Sequence, residues 1–331
     1  MIQLSMVRSA RAVPSRGRQW PVALVVLSVL ALAAAGCGGD GGDGGDGDGG
    51  DGDGGATPAG PASARPEIDA ELLATASALV PGTTAELGVV LRIPRPWHLY
   101  GPTRNDTGMP PQLTWQLPEG FGIGTERWPV PHRYVSPGDI LDHVYHDELV
   151  LLAPLAVPPD VAAGDSVTLR VRIRWLACAE VCVPGASEAA LTLPVATPGS
   201  EPPAAGAAVD SLFARTRERW ATPPTAGAVR HSWAGDVLVL EVPGADRLVF
   251  YPADEGREIT RPLADAEAEG AVLRLQTGPA PGTANAADAL DDSVRGVLAV
   301  HGAGDVPVRF WSIDIPGPEG PRHRQQEEAS R

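Results

Sequence analysis

The chain has 331 residues and a formal net charge of −15, with 41 acidic side chains against 26 basic ones, every one of the latter arginine. An acidic chain lacks the basic surface that phosphate backbones demand, which argues against nucleic acid as a partner. Only three cysteines are present, so at most one intramolecular disulfide can form.

The N-terminus carries Arg8, Arg11, Arg16 and Arg18, then an almost unbroken apolar run over 22–35, then Gly36 and Cys37. A basic stretch followed by an apolar core that ends in small residues is the layout of a secretory signal peptide. The sequence Ala34-Ala35-Gly36-Cys37 resembles the lipobox of bacterial lipoproteins, although the leucine lies at Leu32 and Ala34 takes the place three residues before the cysteine. We read 1–36 as a lipoprotein signal peptide and Cys37 as the lipidated residue. Cleavage without lipid and a retained membrane anchor are the competing readings, and all three export the remainder. Beyond Cys37 no stretch approaches the ~18 consecutive apolar residues that a membrane span needs, so membrane contact is expected through the anchor alone. With Cys37 lipidated, Cys178 and Cys182 have only each other as partners, in a compartment where disulfides persist.

Residues 38–55 consist of twelve glycines and six aspartates. Calcium-binding repeats also use Gly and Asp, but they need a recurring apolar residue to build a core, and none is present. The segment 37–65 is therefore expected to be a disordered, self-repelling tether with a reach of about 30 Å for 28 residues.

From 66 to 198 short alternating runs lie between turns rich in Pro and Gly, with one short helix expected over 68–79. In 167–175 apolar side chains fill every second position and arginines most of the others, the signature of a half-buried strand. Similar alternation marks 87–93 and 191–195, and the apolar run 149–157 suits a more deeply buried strand. Several short strands with frequent turns predict an all-β, immunoglobulin-like β-sandwich. A linker follows at 199–208. A second small β-rich domain is expected over 209–316, opening with a helix at 209–220 and continuing with strands at 237–242, 248–251, 272–275, 297–301 and 308–315. Its Trp220, Trp233, Phe250 and Trp311 suit a core or interface better than a ligand cage. The polar tail 317–331 is expected to be disordered.

Cys178-Ala179-Glu180-Val181-Cys182 follows directly on the 167–175 strand, which puts both sulfurs at the turn of a hairpin or where it leaves the sheet. A structural staple is one reading. Closing so short a loop contributes only about 2 kcal/mol, and a chain of this length has core enough without it. Short loops also tend to strain the bridge and make it easier to reduce, so a switchable pair is the better use of the spacing. Zinc would need two further ligands. His98, His132, His143 and His146 are scattered among turns, so no metal and no cofactor are expected.

The run Trp175-Leu176-Ala177-Cys178-Ala179-Glu180-Val181-Cys182-Val183-Pro184-Gly185 resembles the cysteine hairpin in the N-terminal periplasmic domain of the thiol:disulfide interchange protein DsbD and its ScsB-like relatives. The upstream succession supports it: Trp97-His98-Leu99-Tyr100, Asp106-Thr107-Gly108-Met109-Pro110, Trp115, Leu117-Pro118-Glu119-Gly120, Trp128-Pro129-Val130-Pro131, Tyr145 and Glu148-Leu149-Val150-Leu151-Leu152. The resemblance covers roughly 70–195. More weakly, Phe250-Tyr251-Pro252 and Arg295-Gly296-Val297-Leu298 resemble the second β-domain of the ScsB-like members.

The resemblance implies an oxidoreductase component that relays electrons from a separate transmembrane electron-transfer protein to periplasmic thioredoxin-like oxidoreductases, including proteins serving cytochrome c maturation. It makes Cys182 the sulfur that engages the partner and Cys178 the one that resolves. It also implies an aromatic cap over the pair, by position within 126–134, with Trp128 or Tyr134 as the shield. Glu180 is either a proton acceptor for the resolving thiol or a solvent-exposed turn residue. Asp106, Gly108 and Pro110 are explained by turn geometry. The principal rival is a β-sandwich lipoprotein for adhesion, scaffolding or assembly whose disulfide is inert.

Overall fold

A computed structural model describes residues 65–279, 292–303 and 308–318. The expected signal peptide, Cys37, nearly all of the tether and all but the start of the tail lie outside the described residues.

The first β-unit contains β1 (Asp69–Ala74), β2 (Thr84–Ile93), β3 (Leu99–Tyr100), β4 (Gln112–Gln116), β5 (Gly122–Ile123), β6 (His132–Ser136), β7 (Ile140–Tyr145), β8 (Asp147–Ala156), β9 (Ser166–Cys178) and β10 (Cys182–Pro194). One antiparallel sheet has the order β1-β2-β8-β5, a second β10-β9-β4, and a third β3-β7-β6. Alternation explains the packing. Leu87, Val89 and Leu91 of β2 and Leu149, Leu151 and Leu155 of β8 share a core with Val167, Leu169, Val171, Ile173 and Trp175 of β9. Arg170, Arg172 and Arg174 point outward between them. This is the immunoglobulin-like sandwich that the sequence predicts.

The helix expected over 68–79 is instead β1. Its residues are good helix formers, but Ile68, Leu72 and Ala74 are buried at period two, and the strand pairs with β2 from Asp69↔Arg92 to Ala74↔Leu87. Tertiary pairing overrides a weak local preference here.

Next come α1 (Ala207–Glu218), β11 (Arg230–Ala234), β12 (Val237–Glu241), β13 (Arg247–Pro252), β14 (Glu258–Ile259), α2 (Pro262–Asp265), β15 (Glu267–Glu269), β16 (Val272–Gly278), β17 (Ser293–His301) and β18 (Arg309–Pro316). The strands form two further sheets, β11-β12-β16-β14 and β15-β13-β17-β18. Their shared core includes Leu238, Leu240, Leu273 and Leu275 facing Phe250, Leu298, Val300 and Trp311. Helix α1, which the sequence assigns to this second unit, packs on the first: Phe213 is fully buried with Val90, Val150 and Leu152 on the outer face of the β2/β8 sheet. The stretch before it is also held, because Ala205 N–H donates to Thr75 O and Ser77 N–H donates to Pro203 O.

Candidate redox site

Strands β9 and β10 form one long hairpin whose register ends at Cys182↔Cys178, leaving residues 179–181 as the turn. The two sulfurs are joined in a disulfide. Their surroundings differ for a topological reason. Cys178 ends an interior strand: besides β10, its backbone pairs with His98, through His98 N–H to Cys178 O at 2.9 Å and Cys178 N–H to His98 O at 3.1 Å. Cys182 begins β10, the edge of its sheet. Accordingly Cys178 is 3 % exposed and buried with Tyr100, Val144 and Leu176, whereas Cys182 is exposed.

A polar chain reaches the exposed sulfur. The Tyr100 hydroxyl lies 3.8 Å from Cys182 Sγ and 3.1 Å from Thr107 Oγ1. Thr107 in turn donates its hydroxyl proton to Asp142 Oδ2 at 2.6 Å. Because that proton is committed, the Tyr100 hydroxyl is the donor to Thr107, and since the disulfide sulfur carries no proton, the approach of the Tyr100 oxygen to Cys182 is a contact and not a hydrogen bond. Asp142 also accepts from the backbone N–H groups of Asp106 and Thr107 on its other oxygen, at 2.9 and 3.0 Å. Asp106 returns the clasp, since its carboxylate accepts Leu141 N–H at 2.7 Å. Burial pushes the Tyr100 phenol above its ordinary range, so the group stays a hydroxyl. Gly108 presses this loop onto the Tyr100 ring so closely that a Cβ there would overlap the ring atoms. Thus Asp106 and Gly108, attributed to turn geometry in the sequence, hold Tyr100 in place.

Imidazoles line the other side. The His98 ring is 5.4 Å from Tyr100, 5.1 Å from Tyr134 and 5.6 Å from His146, centroid to centroid. Burial, with His146 nearby, pushes the His98 imidazole down to about 4, so it is neutral at physiological pH. Among the described residues no group of three or more His, Cys, Asp or Glu side chains is arranged to hold a metal ion.

The two candidate shields occupy different places. Tyr134, on β6, is 36 % exposed and rests against His98 and His146. Trp128 packs against the sandwich core, its ring 6.3 Å from Tyr145. Glu180 is exposed in the turn. The exposed large apolar side chains identified among the described residues are Met109, beside Gly108, Tyr134 and Val135 on β6, and Val181 between the cysteines, at 53 % exposure. Sequence reasoning gave no role to His98, Tyr100, Thr107 or Asp142. One signal was present: an aspartate and a histidine inside the otherwise apolar run Ile140-Leu141-Asp142-His143-Val144-Tyr145, where a buried carboxylate must find donors.

Residues 69–194 match the family model described as thiol:disulfide interchange protein DsbD, N-terminal. They form a DsbD N-terminal-like domain. No curated protein matches the chain. Among solved structures it is similar to the N-terminal periplasmic domain of ScsB from Proteus mirabilis, at 15 % identity and a TM-score of 0.48 over 75 % of this chain and 92 % of that one. It is also similar to the DsbD N-terminal domain of Neisseria meningitidis in its reduced form, at 17 % identity and a TM-score of 0.24 over 40 % and 89 %. A third similarity is to the major pilin subunit BcpA of Bacillus cereus, at 12 % identity and a TM-score of 0.24 over 77 % and 67 %. The cysteine hairpin lies inside the matched segment, and α1 and β11 to β18 lie beyond it.

Proposed function

We propose that this chain is an extracytoplasmic thiol:disulfide interchange module that passes electrons through the Cys178–Cys182 pair to partner oxidoreductases of the thioredoxin-like class. A transmembrane electron-transfer protein on a separate chain supplies the electrons, and a lipid on Cys37 with the 37–65 tether keeps the module near the membrane. The observation that carries this reading is the unequal exposure of the two sulfurs, one buried and one at the surface, within a domain of the DsbD N-terminal type.

In the reduced module the Cys182 thiolate attacks one sulfur of the partner's disulfide. The new intermolecular S–S bond forms as the partner's own bond breaks, and the partner's second sulfur leaves as a thiolate. The Cys178 thiolate then attacks Cys182, closing the internal bridge and releasing the partner with both sulfurs reduced. Two electrons pass from module to partner, and the module ends oxidised. Tyr134 is the shield that yields when the partner docks, and the exposed apolar side chain of Val181 lies between the two cysteines in the turn. Glu180 is a solvated turn residue in this scheme.

The test is Cys178→Ser purified from its native envelope. Mass spectrometry is expected to find covalent partners attached through Cys182, and Cys182→Ser to yield few or none. A Cys178→Ser protein recovered as a clean monomer with a free thiol would count against the relay. So would a reduction potential below about −300 mV, where structural disulfides lie.

A further inference from the structure

The second β-unit contributes no cysteine, yet it grips the strand that carries Tyr134. We propose that it acts as a brace for the shield, with Arg133 as the positioning residue: the Arg133 guanidinium, anchored on the second unit, holds β6 and therefore Tyr134 against His98, whose backbone pairs with Cys178. The proposal rests on the shield reading above.

Strand geometry makes the coupling direct. Neighbouring residues on a strand point to opposite faces, so Arg133 and Tyr134 face opposite ways from one short segment. β6 is the edge of the β3-β7-β6 sheet, and among the described residues β7 is its one strand partner. Its hairpin turn onto β7 contains Gly138 and Asp139, both at positive φ, and Val135 just before it is 45 % exposed. That end is uncovered. The strand is fixed sideways by His132, whose Nε2 lies 3.0 Å from Arg219 Nη1, and by Arg133, whose side chain is 17 % exposed. Its Nη2 donates to Leu263 O on α2 at 2.9 Å, and its Nη1 lies 3.3 Å from Glu267 Oε2 on β15. Glu267 is itself held by Arg247 of β13. The anchor is thus built into the second unit's sheet.

Further contacts show that the grip extends around the site. Val130, just before β6, is buried with Val249, Tyr251 and Ala299 of the second unit. The loop bearing Thr107 is tied down as well, through Arg104 N–H to Pro252 O at 3.0 Å and the Arg104–Glu258 ion pair at 3.3 Å. Between these ties the His143 ring of β7 lies 5.1 Å from Tyr251. Cap strand and relay loop are therefore both fastened to one body, and Arg133 is the fastener nearest the shield.

The experiment measures how fast dithiothreitol reduces the Cys178–Cys182 bridge in the full exported chain, since Cys182 is exposed and a shield that narrows the approach to it slows a thiol's attack without blocking it. Tyr134→Ala, which removes the shield, is expected to speed reduction. Arg133→Met keeps the aliphatic stem but loses the charged donors, and is expected to raise the rate on the order of tenfold, as losing a charge-assisted hydrogen bond shifts the closed-to-open balance. Arg133→Lys should recover most of the wild-type rate, and Glu267→Gln should mimic Arg133→Met in part. The double variant Arg133→Met/Tyr134→Ala should be no faster than Tyr134→Ala alone. Near-UV circular dichroism of each variant reports whether the fold survives, and Glu267→Gln carries the test if Arg133→Met does not fold. Wild-type rates in both Arg133→Met and Glu267→Gln, with Tyr134→Ala accelerated, would overturn the brace while leaving the shield intact. Additive effects in the double variant would also overturn it, because they would mean general loosening. No acceleration in Tyr134→Ala would remove the shield reading and the brace together.

Discussion

Replacing Asp142 is the sharpest probe of how the site is held. Its carboxylate is 3 % exposed as a residue and accepts hydrogen bonds from Asp106 N, Thr107 N and Thr107 Oγ1 at 2.9, 3.0 and 2.6 Å. Hydrogen bonds to a charged partner contribute about 1.5–3 kcal/mol each, and a buried donor left unpaired costs about 1–3 kcal/mol. Asp142→Ala removes this acceptor from all three donors at once, although Asp106 N–H keeps Leu141 O at 3.1 Å. Because the three share one loop they do not add fully, and the expected loss is about 4 kcal/mol. For a unit of this size that corresponds to a drop of about 10 °C in thermal midpoint. Asp142→Asn has the same shape and keeps one carbonyl oxygen for the two backbone donors, but its amide cannot accept from Thr107. A loss of about 1–2 kcal/mol is expected. Urea unfolding of the oxidised protein at neutral pH, followed by tryptophan fluorescence, measures both. An Asp142→Ala protein within about 1 kcal/mol of wild type, or an Asn variant as damaged as the Ala variant, would refute the claim that this carboxylate organises the loop.

Two other outcomes follow from buried groups. Phe213 is fully buried against Val90, Val150 and Leu152, so Phe213→Ala should cost about 3–5 kcal/mol by cavity formation and release α1, which hydrogen exchange along 207–218 would detect. Gly88 lies under the Phe213 ring with no room for a Cβ, so Gly88→Ala should disturb the same exchange pattern from the other side. Burial holds the His143 imidazole down at about 4, against an ordinary value of 6.5. The unfolded chain therefore binds the extra proton first as pH falls. Stability from this residue is complete above about pH 6.5 and declines toward pH 4, by roughly 2–3 kcal/mol at pH 4.5. Denaturant titrations at pH 7.5 and 4.5 check it, and His143→Asn should flatten the difference; His98, lowered in the same direction, adds to the slope.

How far the chain could be read depended on how local each feature's cause is. β9 was legible because Val167, Leu169, Val171, Ile173 and Trp175 are buried on one face while the arginines between them are exposed. β1 was not, because Asp69-Ala70-Glu71-Leu72-Leu73-Ala74 satisfies a helix locally and becomes a strand only through its pairing with β2. The cysteine pair stood out from spacing and export alone. Its surroundings did not, since Tyr100 meets Cys182 across 82 positions of sequence, and Thr107 meets Asp142 across 35. Contacts of that span follow from sheet order, which no local pattern encodes. The same holds for Trp128 and Tyr134: both are aromatic and six positions apart, and only the turn into β6 sends one to the core and the other to the site.

Sheet order also explains why two chemically identical residues have different prospects. A hairpin that closed at the sheet's free margin on both arms would expose both sulfurs and leave each open to any passing thiol. Here His98 occupies the far side of Cys178, which converts the end of β9 into an interior position, while at Cys182 no described strand pairs with the outer side of β10. Register fixes the rest. A slip of one residue in the β9/β10 pairing would turn every side chain of β10 to its opposite face and separate Cys182 from Cys178. The pairing from Ser166↔Pro194 to Cys178↔Cys182 resists such a slip, because Leu193 and Ala189 would leave the core. The long hairpin therefore does more than present the sulfurs. It leaves Cys182 exposed and keeps Cys178 buried beside it.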